Sequence, residues 1–217
     1  TRAELSAIAD LAIERDLWII ADEVYGQLVY DGASHQSVAA LSPDVADRTV
    51  VATSLSKTFA MTGWRLGYCL APARVAEALS RINQYNLRCP TSFVQYAAAV
   101  ALADAWPEVD RMRRTYRARR DLVVRRLGRL PGVRTDVPEG TFYAFPRIPD
   151  AWGTGKAFAD RLLTEAGVVV SAGNAYGASA AQHFRVSFAT SEALLNEGFD
   201  RIERLVATSG RPAEGGA

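Results

Sequence analysis

The residues best suited to covalent chemistry lie in the run Ser54-Leu-Ser-Lys-Thr-Phe-Ala-Met-Thr-Gly-Trp-Arg-Leu-Gly-Tyr68. Lys57 follows two serines there, and Arg65 comes after it in the same run. A lysine amine attacks carbonyl carbon and forms a Schiff base when its surroundings favour the neutral form. The hydroxyls of Ser54 and Ser56, with the Arg65 guanidinium, could hold a phosphate dianion through charge-assisted hydrogen bonds. Nucleophile and anion anchor would then be neighbours. Among the 25 basic residues only Lys57 and Lys156 are lysine, so a lysine inside a motif stands out.

Two further groups suit the same chemistry. Asp22-Glu-Val-Tyr25 closes the apolar run LWII. A carboxylate buried there is costly unless it meets a cation, such as a protonated pyridine nitrogen, and Asp22 is the candidate. The Tyr25 phenol could donate to an oxygen on such a ring. In Phe184-Arg-Val-Ser-Phe-Ala189, strand alternation sets Arg185 opposite Phe184 and Val186, and an arginine on a rigid strand suits a bidentate grip on a carboxylate.

Taken singly, each has a plainer reading. A lysine after a strand is ordinarily a surface residue, an aspartate a turn residue, and an arginine an ion-pair partner. Glu23 points to the other side of an extended chain from Asp22 and reads as structural. His35, in a loop, and His183, before a strand, read as incidental. Tyr143 and Asn174 could border a substrate pocket, although an aromatic in an alternating strand is more often core.

The elements that must position these groups follow from periodicity. Leu5, Ile8, Ala9, Ala12 and Ile13 recur at helical spacing, opened by the capping-box pattern Thr1-Arg-Ala-Glu4, and LWIIAD reads as a buried parallel strand. TVVATS, residues 49 to 54, is a second strand, and Trp64 to Leu70 a third after an irregular stretch. Helical patterns run from Pro72, from about Ser92 to Asp104, and from Trp106 to Leu130. In the last, Met112, Tyr116, Val123, Leu127 and Leu130 form an apolar stripe, while Arg111, Arg113, Arg114, Arg117, Arg120 and Arg126 read as a solvated face rather than a nucleic-acid surface. Beyond Pro131-Gly132 come strand (GTFYAFPRI), helix (about Thr154 to Ala166), strands (VVVSAG, FRVSFA) and a helix from about Ser191 to Ala207, the pattern of a smaller α+β domain. Sites in open α/β sheets lie at strand carboxyl ends, where Asp22 and Lys57 both fall.

Composition excludes several alternatives. With 49% hydrophobic and 23% charged residues the chain is expected to fold, and 25 basic against 24 acidic residues provide no overall field for nucleic acid or an anionic membrane. Cys69 and Cys89 have no metal-ligand spacing, so neither a disulfide framework nor a zinc site is expected. No apolar run is long enough for a bilayer and no secretory signal opens the chain, so a soluble cytoplasmic protein is expected. A chain opening at Thr1, without initiator methionine, reads as a fragment.

The order D-E-x-Y, S-x-S-K-T, G-W-R-x-G, G-x-F-Y and F-R-x-S-F resembles the class I/II aminotransferases of fold type I, from Thr1 to about Val206. That resemblance implies an α/β fold: part of the mixed sheet of a large domain, plus a small C-terminal α+β domain. It places the large-domain portion at residues 1–105, a long interdomain helix at 106–130 and the small domain at 131–208, while the Gly/Pro-rich composition of residues 209–217 reads as a disordered tail. It implies pyridoxal 5'-phosphate as cofactor, with Lys57 forming the Schiff base, Asp22 on the pyridine nitrogen and Tyr25 on the ring hydroxyl. Ser54, Ser56 and Arg65 match the phosphate ligands, and Arg185 the substrate α-carboxylate clamp. The implied reaction moves an amino group between an α-amino acid and a 2-oxo acid, in a homodimer. A glycine-rich phosphate turn, a ring-stacking aromatic and an asparagine, usual in an N-terminal portion of such enzymes, do not precede Thr1. A carbon–sulfur lyase of the same fold, and a cofactor-sensing domain of a transcription regulator, are the alternative readings.

Overall fold

The computed structural model describes residues 1–209, so most of the expected disordered tail lies outside the described residues. Two compact units divide at Arg113 and Arg114.

In the first unit, helix α1 (Arg2–Glu14) opens with the expected capping box: the Thr1 hydroxyl accepts from the Glu4 amide, and the Glu4 side chain reaches back to the cap. Strand β1 (Ile19–Asp22) runs parallel to β2 (Thr49–Ser54), and β3 (Gly67–Leu70) pairs antiparallel with β2. The short helix α2 (Pro43–Ala46) leads into β2, whose final residue caps the single-turn helix α3 (Leu55–Thr58). Helices α4 (Ala73–Asn86) and α5 (Ser92–Asp104) follow, separated around Pro90 as expected.

Ala9 of α1 packs with Val38 and Val45, with Ile19 and Ala21 of β1 against them. The other face of β1 differs from expectation, for Ile20 is 79% exposed. The side chains of β1 alternate between core and open face instead of being buried on both, so one face of this strand carries no packed layer at Ile20. Strand β3 starts three residues later than the Trp64 boundary, because Thr62–Trp64 form a turn of 3-10 helix and Arg65 takes a left-handed backbone, φ 53°. No extended ladder can include such a residue.

Helix α6 (Trp106–Leu127) crosses the division between the units. The second unit holds a small antiparallel sheet in the order β4 (Tyr143–Ala144), β6 (Phe184–Ser187), β5 (Ser171–Ala172), with helices α7 (Gly155–Ala166) and α8 (Glu192–Ser209). Its core contains Val123, Leu127, Ile148, Phe158, Leu162, Phe184, Phe188 and Phe199, all essentially inaccessible. Gly167 stops α7 in the left-handed conformation, as its sequence suggests.

The arginine-rich face of α6 is not wholly solvated. Arg120 is 3% and Arg126 7% exposed. Arg120 lies four residues from Tyr116 and three from Val123, on the apolar stripe itself, and donates to Asp121 and to the Pro138 carbonyl. Arg126 ties α6 to α8 through Asp200 at 2.5 Å, Glu203 at 2.9 Å and the Asn196 side-chain oxygen at 3.2 Å, with its guanidinium over the Phe199 ring. Burial opposes the Arg126 charge, but the hydrogen bonds to Asp200 and Glu203 outweigh it and raise the pKa above the usual arginine value.

Arg126→Ala should lower the unfolding free energy by about 2 kcal/mol, less than for a fully buried pair because Asp200 is half exposed. A lower urea midpoint with an unchanged m-value is the expected measurement.

Candidate functional site

The first unit gathers six of the seven expected site residues at one end of its sheet. Asp22 is the last residue of β1 and pairs in register with Ala52 of β2; the Glu23 amide donates to the Ala52 carbonyl at 2.9 Å. Two residues beyond Ala52, Ser54 ends β2, and α3 carries Ser56 and Lys57 immediately after it. Antiparallel β3 brings Gly67 opposite Ser54, which sets Arg65 beside the same strand ends. Tyr25 sits in the turn that follows Asp22. Arg185 belongs to the second unit.

Local packing anchors α3. Leu55 and Met61 are buried with Ala98 and Ala101 of α5, while Phe59, Leu66, Ala97 and Ala105 close around them. Burying a leucine such as Leu55 contributes roughly 2 kcal/mol, and here it fixes the turn on which Lys57 stands. Ser56 and Thr58 are buried on either side of the half-buried Lys57. Gly67 permits the close approach of β3, since a Cβ there would lie 2.6 Å from the Thr53 carbonyl oxygen.

The donor set suits a phosphate group. The Ser54 hydroxyl accepts from the Ser56 amide at 3.0 Å and donates to the Leu66 carbonyl at 3.3 Å, so its proton must turn from Leu66 to meet an anion. Among the described residues the Ser56 hydroxyl has no hydrogen-bond partner, and Arg65 donates to the Thr62 carbonyl but meets no carboxylate. Two serine hydroxyls and an arginine lacking an acidic partner, carried at one strand end, are the donor types a phosphate dianion requires.

Asp22 departs from its expected burial. Its side chain is exposed and accepts from the Val24 amide at 3.3 Å, an Asx-type turn contact. The more sheltered carboxylate is that of the partly buried Glu23, which accepts from the Ser37 hydroxyl at 2.7 Å and pairs with the His35 imidazole at 3.0 Å. Glu23 is thus structural, as expected, but His35 is not incidental: it helps pin the turn between Asp22 and Tyr25. The pattern Glu23, His35 and Ser37 in one short stretch was the available signal.

In the second unit, β6 alternates as expected, with Phe184 and Val186 in the core and Arg185 on the other face. Arg185 Cζ lies 4.1 Å from the Tyr143 ring centroid and 5.0 Å from that of Tyr176, and Nη2 donates to the Ser171 hydroxyl at 3.4 Å. Among the described residues no acidic side chain pairs with Arg185. The ion-pair reading of this arginine therefore fails. Tyr143 is half-buried rather than core, Asn174 is exposed, and Tyr176 is not among the residues the motifs single out.

A mixed α/β sheet with a lysine just past a central strand, flanked by a phosphate-type donor set, defines a fold class shared with pyridoxal-phosphate-dependent transferases. Comparison with known proteins narrows it. Residues 1–202 match the family model described as Aminotransferase class I and II. The chain is 46% identical over 208 residues to Aromatic-amino-acid aminotransferase 2 of Thermococcus litoralis, covering 95% of this chain and 53% of that protein. It is 44% identical over 207 residues to an aspartate aminotransferase of Pyrococcus abyssi, covering 94% and 53%. A solved aromatic aminotransferase from Pyrococcus horikoshii OT3 superposes with a TM-score of 0.92 at 44% identity, over 96% of this chain and 56% of that one. This chain belongs to the class I and II aminotransferase family. Members of that family are generally pyridoxal-phosphate-dependent. The chain spans about half the length of the curated relatives it matches.

Proposed function

We propose that the full-length protein is an aminotransferase that uses pyridoxal 5'-phosphate to move an amino group between an α-amino acid and a 2-oxo acid. The observation that carries this reading is the gathering of Asp22, Ser54, Ser56, Lys57 and Arg65 at one set of strand ends. The family membership supports it.

In this reading Ser54, Ser56 and Arg65 hold the phosphate, and Lys57 holds the cofactor through its ε-amine. Asp22 keeps a proton on the ring nitrogen by offering it a carboxylate, and Tyr25 donates from its phenol to the ring oxygen. The bound cofactor supplies an electron sink for the substrate α-carbon. Once the substrate amine has taken its place, Lys57 carries a proton to and from that carbon at Nζ. Arg185 grips the substrate α-carboxylate with its paired N–H donors. The same reading makes the working protein a homodimer, as the resemblance to the family implies, and places it in the cytoplasm, in keeping with its cysteine usage; among the described residues no helix is long and apolar enough to cross a membrane.

Borohydride treatment of the cofactor-loaded full-length protein should leave the cofactor mass on the peptide containing Lys57. Amino donors such as L-aspartate and L-phenylalanine, offered with 2-oxoglutarate or pyruvate, should yield the corresponding 2-oxo acids. A label on another residue, or oxo-acid formation absent from every donor–acceptor pair, overturns the proposal.

A further inference from the structure

The surroundings of Arg185 point to two residues that govern how it works. Strand β6 sets Arg185 in register with Ser171 of β5 and Ser187 with Tyr143 of β4. Arg185 and Ser187 share a face, because strand side chains alternate, so the Tyr143 ring lies diagonally across that face from Arg185. Tyr176 arrives from the 3-10 turn Gly173–Tyr176 that follows β5. That turn is tightly held. The Gly173 amide donates to the His183 carbonyl at 2.8 Å, and a Cβ on Gly173 would lie 2.2 Å from the Ala180 carbonyl oxygen. Phe145 meets the Tyr176 ring edge-on at 5.6 Å and stacks on His183 at 5.1 Å, which fixes the Tyr176 ring in turn.

Both rings approach the guanidinium carbon within cation–π range. A guanidinium packed on ring faces keeps its N–H donors, which lie in its plane, for a ligand. Ser171 takes one of them.

We propose that Tyr143 and Tyr176 are positioning residues, a two-ring clasp that fixes the plane of the Arg185 guanidinium and thereby sets the affinity for carboxylate substrates. This rests on the reading of Arg185 as the carboxylate grip. An acidic partner would orient the arginine equally well but would compete with the substrate for its charge. Aromatic faces orient it without neutralising it.

The test uses the full-length cofactor-loaded protein with L-aspartate and L-phenylalanine as donors. Tyr143→Leu and Tyr176→Leu should each raise the donor KM about 5- to 10-fold with a much smaller change in kcat, the signature of lost ground-state binding. Tyr143→Phe and Tyr176→Phe, which keep the ring face, should recover most of that loss. In an Arg185→Leu background the leucine replacements should add nothing further. Tyr176 is 48% exposed, so its replacement should be tolerated; methionine variants, which fill the volume without a ring face, take over where a leucine variant loses its cooperative melt. Folded variants with unchanged KM, phenylalanine variants as impaired as leucine ones, or a full extra loss in the Arg185→Leu background would overturn the clasp while leaving Arg185 in its role. Should Arg185→Leu itself leave KM unaltered, the carboxylate-grip reading falls, and the clasp falls with it.

Discussion

Lys57→Ala in the full-length protein is expected to reduce turnover by on the order of 10⁴-fold or more, with the folded structure retained. On the proposed function two roles would be lost together, the covalent hold on the cofactor and the base that moves the substrate α-proton. A loss of that size corresponds to about 5 kcal/mol of transition-state stabilisation. Structure should survive because Lys57 is half-buried, while Leu55 and Met61 do the packing around α3. Lys57→Arg separates charge from chemistry, for a guanidinium stays protonated and cannot act as the nucleophile. It should be as inactive as the alanine variant. Single-turnover measurements with either variant check the outcome, and a rate within tenfold of the parent would remove Lys57 from the mechanism.

Arg185→Leu is expected to act differently. Its largest effect should fall on kcat/KM for α-carboxylate donors, a loss of about 10²- to 10³-fold, or roughly 3 to 4 kcal/mol, as when one partner of a hydrogen-bonded charge pair is removed. Leucine keeps the apolar stem but discards every donor. Arg185→Lys should recover only part of the loss, since an ammonium is a point charge without the planar fork. Amines without a carboxylate should be nearly indifferent to both changes, and steady-state kinetics with matched donors distinguishes these outcomes. Equal losses for both kinds of donor would point to a general disturbance of the second unit instead.

Much of the fold was legible because local signals sufficed. The β-branched run TVVATS coincides with β2, the capping box opens α1, Gly167 stops α7, and Pro90 lies between α4 and α5. Where tertiary context intervened, the sequence misled. GTFYAFPRI contributes only Tyr143–Ala144 to a ladder, since Pro146 lacks an amide to donate, and pairing resumes only as isolated bridges at Arg147. VVVSAG likewise narrows to Ser171–Ala172. The burial of Arg120 and Arg126 was illegible for a different reason: Arg126 meets Asp200 and Glu203 more than seventy residues further on, beyond the reach of any helical periodicity.

The site follows the same division. Motifs placed Asp22, Ser54, Ser56, Lys57 and Arg65 at strand ends, and β-pairing brings them to one end of the sheet. They could not reveal that Asp22 is exposed, nor that Glu23 beside it is the carboxylate held by His35 and Ser37. They could not supply Tyr176 either, whose relation to Arg185 depends on the pairing of β5 with β6 and on a glycine-bearing turn.

Ser54 is at once the last residue of β2 and the cap of α3, so the hydrogen-bonded ladder passes directly into the helical turn that carries Lys57. A one-residue slip of β2 along β1 would invert which side each residue faces and carry Lys57 away with it. If Lys57 has the role proposed for it, competence is acquired at the same step as strand registration: a molecule with this ladder correctly zipped has its amine in place, and one that is misaligned would be inert as well as misfolded.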